Sequence, residues 1–348
     1  MPIMLKVLPA SNGDSIIIKY GEADNLKNII IDSGRGLACY KALKNFFKEI
    51  NDEKGSVELI VITHIDDDHI NGILKIVQDD SVNKKIIKDT WFNSGTSISG
   101  FFNKGIADTT REVPLQMLDT TDMNMNQGIS LETHLERIGI WSKKLIKSSD
   151  RYNCSGAVIK VLSPNLNALS EINEKWEYEV NKDTDMASIS DYSTPIEILI
   201  NNKFIEDTSI PNKSSIGLMF EYDGRCLLLL GDAHPSIIIQ SLKLLGYSSE
   251  NKLKVDILKV SHHGSKFNTC NELLRLIKCK EFIISTDGRQ HGLPHKECLA
   301  RILMSSDKGV KFYFNYNIVD RIFTKDELDN FGIEYKCLNQ DEYIVVGE

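Results

Sequence analysis

Seven of the eight histidines fall in four short clusters, and each cluster directly follows an apolar run that is typical of a buried strand. The clusters span residues 64–69, 231–234, 261–265 and 287–295. Ligands in α/β folds collect beyond the carboxyl ends of strands. The sequence therefore predicts an α/β fold in which four strand ends meet around one composite site.

The first cluster concentrates charge more than any other part of the chain. His64, Asp66, Asp67, Asp68 and His69 lie within six residues, directly after the apolar run 59–62. Unpaired anions at this spacing would repel one another, and a pair of divalent cations would remove that repulsion. An acidic helix N-terminus that complements the helix dipole is the simpler alternative. Asp232 and the His262-His263 pair, each at a matching strand end, favour the metal site.

The hydrophobic periodicity predicts secondary structure clearly at both ends of the chain and less clearly in its middle. Before residue 95 it predicts strands at 3–8, 15–20, 28–32 and 57–62, and helices at 37–50 and 69–77. Between 95 and 210 it predicts helices near 131–147 and 172–180 and a strand at 157–162. After 210 it predicts a hairpin at 216–230, helices at 235–245, 271–277 and 295–304, and strands at 255–260, 281–286, 311–316 and 319–323. We therefore expect a single domain over 1–348, with 95–210 as an insertion or cap region within it.

Composition narrows the class of protein. The chain has 348 residues, of which 41% are hydrophobic and 26% charged, and its formal net charge is −8. That charge argues against a protein that grips duplex DNA unaided. Seven scattered cysteines without a CxxC pair favour reduced thiols in the cytoplasm. The first residues lack a signal-peptide pattern, and no apolar run is long enough to span a bilayer, so we expect no membrane association.

These motifs resemble the metallo-β-lactamase fold superfamily. Its loop reads His-x-His-x-Asp-His after a strand and is followed by a bridging Asp and a last His. Here Asp66 stands where most members have the second His. That exchange resembles the ComEC-type branch, named after a DNA-uptake channel protein whose soluble domain is regarded as a nuclease. Four further motifs carry the same resemblance: 12–15 (NGDS), 30–34 (IIDSG), 230–232 (LGD) and 261–265 (SHHGS). It implies a four-layer αββα sandwich and, without a channel segment, a free-standing member.

The resemblance also implies a site with two divalent metal ions. Metal one takes His64 and Asp66, metal two takes Asp68 and His69, Asp232 bridges them, and His263 completes metal two. His262 and His295 are left to position a phosphate or to protonate a leaving oxygen. The candidate catalytic residues are therefore Asp68, His262 and His295. The sequence leaves open which of His262, His263 and His295 is a ligand and which is the acid.

One position departs from the family pattern. Many members have a third His on metal one, before the bridging Asp, yet no His occurs between His134 and His234. Asn212, Ser214 or Ser215 occupies the corresponding place, and each is a weaker ligand. We therefore expect either that metal one is held loosely or that the site is mononuclear until substrate binds. Since oxygen-rich sites favour manganese and nitrogen-rich sites favour zinc, we expect Mn²⁺ to compete with Zn²⁺.

The expected function is that of a metal-dependent hydrolase that cleaves phosphodiesters, above all a nuclease acting on DNA or RNA. Such an enzyme could belong to a multi-protein defence system in which a partner from the same operon supplies the grip on nucleic acid. Two alternatives stay open. One is a small-molecule phosphodiesterase or other ester hydrolase on the same fold, and the other is a regulatory module that keeps the metals only for stability.

Overall fold

The computed structural model describes residues 3–22, 24–102, 120–175, 190–306 and 308–347. Its strands in chain order are β1 (Met4–Val7), β2 (Ile16–Glu22), β3 (Asn25–Ile31), β4 (Val57–Ile62), β5 (Thr90–Phe92), β6 (Arg151–Cys154), β7 (Ala157–Ser163), β8 (Gly217–Tyr222), β9 (Arg225–Leu229), β10 (Leu253–Lys254), β11 (Ile257–Lys259), β12 (Ile277–Lys278), β13 (Glu281–Ile284), β14 (Lys311–Phe314), β15 (Glu334–Cys337) and β16 (Ile344–Val345).

Helices connect most of these strands. In chain order they are α1 (Gly36–Asp52), α2 (Asp67–Gln78), α3 (Gly95–Phe101), α4 (Thr120–Ile138), α5 (Leu166–Lys175), α6 (Ile196–Leu199), α7 (Ile210–Lys213), α8 (Pro235–Leu244), α9 (Asn271–Leu276), α10 (Lys296–Ser305), α11 (Val319–Ile322) and α12 (Lys325–Phe331). In the described part of the chain, no helix is both long and apolar enough to cross a membrane.

Two mixed sheets form the centre of the molecule. The first has the strand order β16-β1-β2-β3-β4-β5, and the second has the order β15-β14-β13-β11-β9-β8-β7-β6. β3, β4 and β5 are parallel, as are β9, β11, β13, β14 and β15. Parallel neighbours bring their carboxyl ends to one edge of each sheet, and the loops rich in His and Asp begin there.

Successive side chains of a strand point to opposite faces of its sheet. One face packs in the core between the two sheets, and the other packs against the outer helices. On β2, Ile16 and Ile18 pack into a core shared by both sheets, whereas Ile17 packs with α1 and α2. On β9, Leu227 belongs to the shared core and Leu228 to the core beneath α8, α9 and α10. Strands buried on both faces read as continuous apolar runs. The order helix, sheet, sheet, helix confirms the predicted four-layer αββα sandwich.

The middle of the chain supplies strands as well as helices. β6 and β7 form the outer end of the second sheet, where β7 pairs with β8 in antiparallel register. The strand predicted at 157–162 is therefore present. The helix predicted near 131–147 is α4, which already ends at Ile138, before Gly139 takes a positive φ of 71°. The helix predicted near 172–180 is described only as α5, and residues 176–189 lie outside the described part of the chain.

One predicted strand is wrong. A strand was predicted at residues 319–323, but Val319–Ile322 forms the short helix α11. Val319 and Ile322, three residues apart, both lie in the core beneath the outer helices. A spacing of three places two side chains on one helical face, so burial of both is reached in a single turn.

The core beneath α8, α9 and α10 is expected to dominate stability. Phe282 on β13 is fully buried there, whereas Leu244 at the end of α8 is 73% exposed. Phe282→Ala should lower the free energy of unfolding by about 3–5 kcal/mol, and Leu244→Ala by less than about 0.5 kcal/mol. Urea unfolding followed by circular dichroism measures both. Similar losses in the two variants would contradict this assignment of the core.

Candidate metal centre

One carboxylate oxygen lies at the centre of the site. Asp232 Oδ2 is 3.5 Å from Nε2 of His69 and of His263, and 3.8 Å from Nε2 of His64 and of His262. Asp232 follows β9, and the four histidines follow β4 and β11. The structure thus brings four imidazoles from both sheets around one buried oxygen. Three of them are predicted ligands, and His262 was predicted as a catalytic group.

Two further carboxylates divide these imidazoles into groups. Asp66 Oδ2 lies 3.3 Å from His64 Nε2. Asp68 Oδ1 lies 3.9 Å from His69 Nε2, and its Oδ2 lies 3.5 Å from His263 Nε2. All six predicted metal ligands therefore meet in one place. Asp66 is 27% exposed and His69 fully buried, so the Asp66 side of the site faces the solvent.

The local backbone explains how consecutive histidines reach the same centre. His262 and His263 both adopt left-handed conformations, with φ of 48° and 53°. Successive residues in this conformation turn the chain back on itself, and both Nε2 atoms consequently approach Asp232. Positive φ is uncommon outside glycine, and it concentrates at functional sites. Gly13 approaches from the first sheet, and a Cβ there would lie only 1.8 Å from the carbonyl oxygen of Asp68.

The far nitrogen of each ring in the first cluster is held by a hydrogen-bonding partner. His69 Nδ1 lies 2.8 Å from Asp32 Oδ2, and His64 Nδ1 lies 3.0 Å from Thr63 Oγ1. Asp32 also accepts hydrogen bonds from the backbone N–H and the hydroxyl of Thr63, both at 2.8 Å. Partners of this kind fix the ring orientation and the tautomer of metal-binding histidines.

The rings of the second pair are held in the same way. His263 Nδ1 lies 3.0 Å from the carbonyl oxygen of Ser285 and 3.3 Å from Asp14 Oδ1. His262 Nδ1 lies 3.0 Å from Asn268 Oδ1 and 3.5 Å from Asp207 Oδ2. The sequence analysis missed these partners. Asp14 belongs to the motif at 12–15 and could have been identified from it. Asp207 lies in the region of least regular pattern, and no sequence feature pointed to it.

The electrostatics of the site favour cations. Burial alone would lower the pKa of His69, His262 and His263, but neighbouring carboxylates, Asp232 first, raise all three above the ordinary value. Burial alone would raise the pKa of Asp68 and Asp232, yet the imidazoles hold both well below the usual range. Both carboxylates therefore stay ionised at neutral pH. The site combines ionised oxygens with imidazoles, which is a donor set typical of transition metals.

Unpartnered buried atoms give an independent test of whether the site fits a metal. Among the described residues, Nε2 of His64, His69 and His263 and Oδ1 of Asp232 are buried without a hydrogen-bond partner. Buried polar groups are rarely left unpaired, and a site that binds an ion is one standard explanation. The three nitrogens all point toward Asp232 Oδ2. The residues present thus fit divalent cations.

Asp14 also lies among the potential ligands. One atom each from Asp14, His69, Asp232 and His263 can be chosen so that all lie within 4.8 Å of one another. However, Asp14 approaches Nδ1 of His263, whereas Asp232 approaches Nε2 of the same ring. A single ion cannot bind both nitrogens of one imidazole. We therefore place Asp14 behind the ring of His263 rather than on a metal.

The residues considered for the missing third ligand lie beside the centre. Ser215 Oγ lies 3.4 Å from His64 Nδ1 and accepts a hydrogen bond from the backbone N–H of Asp232. Asn212 donates to Asp207 Oδ2 at 2.8 Å. Ser214 donates to a backbone carbonyl in its own turn. Of these side chains, Ser215 contacts two predicted ligands, His64 and Asp232. His262, in contrast, presents its Nε2 directly to Asp232 Oδ2.

His295 lies outside this cluster. It precedes α10, its Nδ1 accepts a hydrogen bond from the backbone N–H of Lys266, and its ring packs edge-on against Phe267. Burial first, and then the charges of Lys266, His262 and Arg301, lower its pKa to about 4. A neutral imidazole is a poor acid at pH 7, so the structure lends no support to the acid role predicted for His295.

The other histidines have local partners. His234 precedes α8, and its Nε2 lies 3.6 Å from Asp207 Oδ2. His134 contacts the carbonyl oxygen of Ser130 within α4. His291 lies in the loop before α10 with a positive φ of 54°.

Comparison with known proteins yields similar folds at low identity. No protein-family model matches the chain, and no curated protein matches it significantly. CmlA, a diiron β-hydroxylase from Streptomyces venezuelae, is similar with 11% identity and a TM-score of 0.42 over 99% of this chain and 54% of that one. The chain thus spans about half the length of that enzyme.

Two further solved structures are similar over most of their length. Human tRNase Z, short form, shows 10% identity and a TM-score of 0.37 over 99% of this chain and 100% of that one. A metallo-β-lactamase from Staphylococcus aureus shows 10% identity and a TM-score of 0.34 over 97% of this chain and 86% of that one. With TM-scores this low, the function proposed for the chain rests on the geometry of its own site.

The buried imidazole of His295 predicts a pH dependence of stability. Its pKa is lowered from 6.5 to about 4 in the folded chain, so below pH 6.5 the unfolded chain takes up a proton that the folded chain refuses. Stability from this group is complete above pH 6.5 and declines as the pH falls toward 4. At pH 5 the loss should reach about 2 kcal/mol. Urea unfolding of the metal-free parent and of His295→Gln at pH 7 and pH 5 tests this, and an equal decline in both would contradict it.

Proposed function

We propose that the chain is a metal-dependent hydrolase that binds two divalent cations at this centre and cleaves phosphodiesters. The observation that carries the proposal is the position of Asp232 Oδ2, which faces four imidazole nitrogens at 3.5–3.8 Å. Two carboxylates flank these nitrogens, one on each side. A single bridging oxygen with ligands on both sides is the donor arrangement of a two-metal site.

We assign the ligands by these contacts. Asp232 is shared, one cation takes His64, Asp66 and His262, and the other takes Asp68, His69 and His263. This assignment keeps the six predicted ligands and adds His262 in place of Asn212, Ser214 or Ser215. Each set then contains two imidazoles and two carboxylates, so we propose that Mn²⁺ competes with Zn²⁺ at the centre.

The side chains around the centre define how a substrate would approach. Asp66 and His262 are each 27% exposed, whereas His69 and His263 are at most 2% exposed. A phosphodiester and a water molecule would therefore enter from the Asp66 side. Bound divalent cations would polarise the phosphoryl oxygens and acidify water at neutral pH. Asp232 keeps its negative charge at that pH, because the imidazoles hold its pKa low.

Nucleic acid is the substrate that we propose first. The ComEC-like motifs support this choice, and Asp66 in place of a second His is the residue that carries the likeness. The net charge of −8 means that a partner protein, encoded beside this chain, would supply most of the grip on DNA or RNA. We propose one cytoplasmic domain in which residues 95–210 shape the site, because Asp207 from this range contacts His262.

A small phosphodiester is the second candidate, and the same net charge favours it. A small substrate does not require the basic surface that nucleic-acid backbones need. A metal-stabilised module without catalysis is the remaining alternative. It predicts bound metal and no turnover on any phosphodiester.

Metal analysis of two histidine variants tests the ligand assignment. His262→Ala should bind about one metal ion fewer than the parent, or bind one of them about ten- to a hundredfold more weakly. His295→Ala should keep the parent's metal content, since its ring lies outside the cluster. Elemental analysis after gel filtration, with chelator competition, provides the measurement. Unchanged metal content in His262→Ala would return this residue to the catalytic candidates.

A substrate panel tests the reaction. Plasmid, single-stranded DNA, RNA and bis-p-nitrophenyl phosphate are each incubated with Mn²⁺, Mg²⁺ or Zn²⁺. We expect cleavage of nucleic acid with Mn²⁺ at least as fast as with Zn²⁺, and its loss in Asp232→Ala. Cleavage of the small ester alone would favour the second candidate. No turnover by a metal-loaded parent on any of the four would reject the proposed activity.

A further inference from the structure

Lys259 is a buried positive charge at an inward-facing position of the second sheet. It ends β11, two residues after Ile257, which packs in the core between the two sheets. Side chains two apart on a strand share a face, so Lys259 points into the layer where an apolar residue would be expected. Its side chain is 1% exposed. A buried ammonium is costly unless it is paired, and its partners therefore indicate its role.

The partners of Lys259 belong to the metal centre. Its Nζ forms an ion pair with Asp14 Oδ2, lies 3.3 Å from the carbonyl oxygen of Gly231, and lies 4.0 Å from Asp232 Oδ1. Asp14 comes from the loop after β1 in the first sheet, while Lys259 and Asp232 come from the second. The ammonium thus joins the two sheets directly behind the ligands.

In each of two carboxylates, Asp14 and Asp232, one oxygen faces Lys259 and the other faces imidazole nitrogens. Asp232 turns Oδ2 toward the four imidazoles and Oδ1 toward Lys259. Asp14 turns Oδ2 toward Lys259 and Oδ1 toward Nδ1 of His263. Without the ammonium, Asp14 Oδ2 would lose its ion pair and could turn toward a cation, and Asp232 could bind through both oxygens.

We propose that Lys259 is a positioning residue that makes Asp14 orient His263 instead of binding metal and limits Asp232 to a bridge through one oxygen. This inference rests on the proposed metal centre. Lys259 acts through Asp14 and Asp232 and does not contact substrate. Its role is to set the coordination number, through the ion pair that holds Asp14 Oδ2 and through a positive charge 4.0 Å from Asp232 Oδ1.

The absorption spectrum of bound Co²⁺ tests this role, because its intensity falls as the coordination number rises. Lys259→Met keeps the apolar stem and removes the charge. It should show weaker visible absorption per bound Co²⁺ and activity per bound metal lower by about ten- to a hundredfold. The double variant Lys259→Met with Asp14→Asn should regain most of the parent's Co²⁺ spectrum, because an amide is a poorer ligand than a carboxylate.

Lys19 offers a matched control. It is also a nearly buried lysine, with 9% side-chain exposure and an ion pair to Glu49 at 2.9 Å. Lys19→Met should leave the Co²⁺ spectrum unchanged. If Lys259→Met does not fold, Lys259→Gln, whose amide can still donate to Asp14, is measured in its place with a smaller spectral change expected.

The outcomes separate the two proposals. A parent that binds no Co²⁺ overturns the metal centre and this inference with it. A parent that binds Co²⁺, with an unchanged spectrum in the folded Lys259 variant, overturns the positioning role and leaves the metal centre standing. A changed spectrum that the Asp14 substitution does not restore also overturns the role through Asp14.

Discussion

The crowding of carboxylates between the ends of two sheets is the constraint on which this structure depends. Six aspartates surround the imidazoles, and the buried Lys259 contacts two of them, Asp14 and Asp232. The six are Asp14, Asp32, Asp66, Asp68, Asp207 and Asp232. Burying like charges together is costly unless other charges compensate. The apolar core between the sheets fixes the loops that carry them, so relaxation cannot spread these groups apart. In the proposed metal centre, divalent cations supply this compensation, because four imidazole nitrogens face one carboxylate oxygen.

Many of the helices and strands could be predicted from the sequence, because the local hydrophobic pattern agrees with the fold that the chain adopts. The apolar run at 57–62 predicted β4 with the observed bounds, and the 235–245 helix differs from α8 by one residue. These segments bury the faces that their periodicity indicates. The strand predicted at 319–323 was wrong because the spacing of three between Val319 and Ile322, with two charged residues between them, fits one turn of helix and not a strand.

The cluster of candidate ligands could be predicted from the sequence, but the role of each histidine in it could not. His262, His263 and His295 all follow strands, and nothing in the sequence distinguishes their roles. The backbone turn at 261–264 separates them, since it directs two rings to Asp232, while His295 packs against Phe267. Asp207 and Asn268 could not be found in advance, because they reach His262 through tertiary contacts from segments distant along the chain or without regular pattern.

The left-handed pair at His262 and His263 also has a mechanical consequence. The two rings belong to opposite halves of the centre, yet they share one peptide unit and one unusual backbone conformation. A backbone shift that returned either residue to the right-handed region would swing both rings at once. A disturbance of this single turn would therefore move both rings together, and under the proposed ligand assignment it would reach both cations at once.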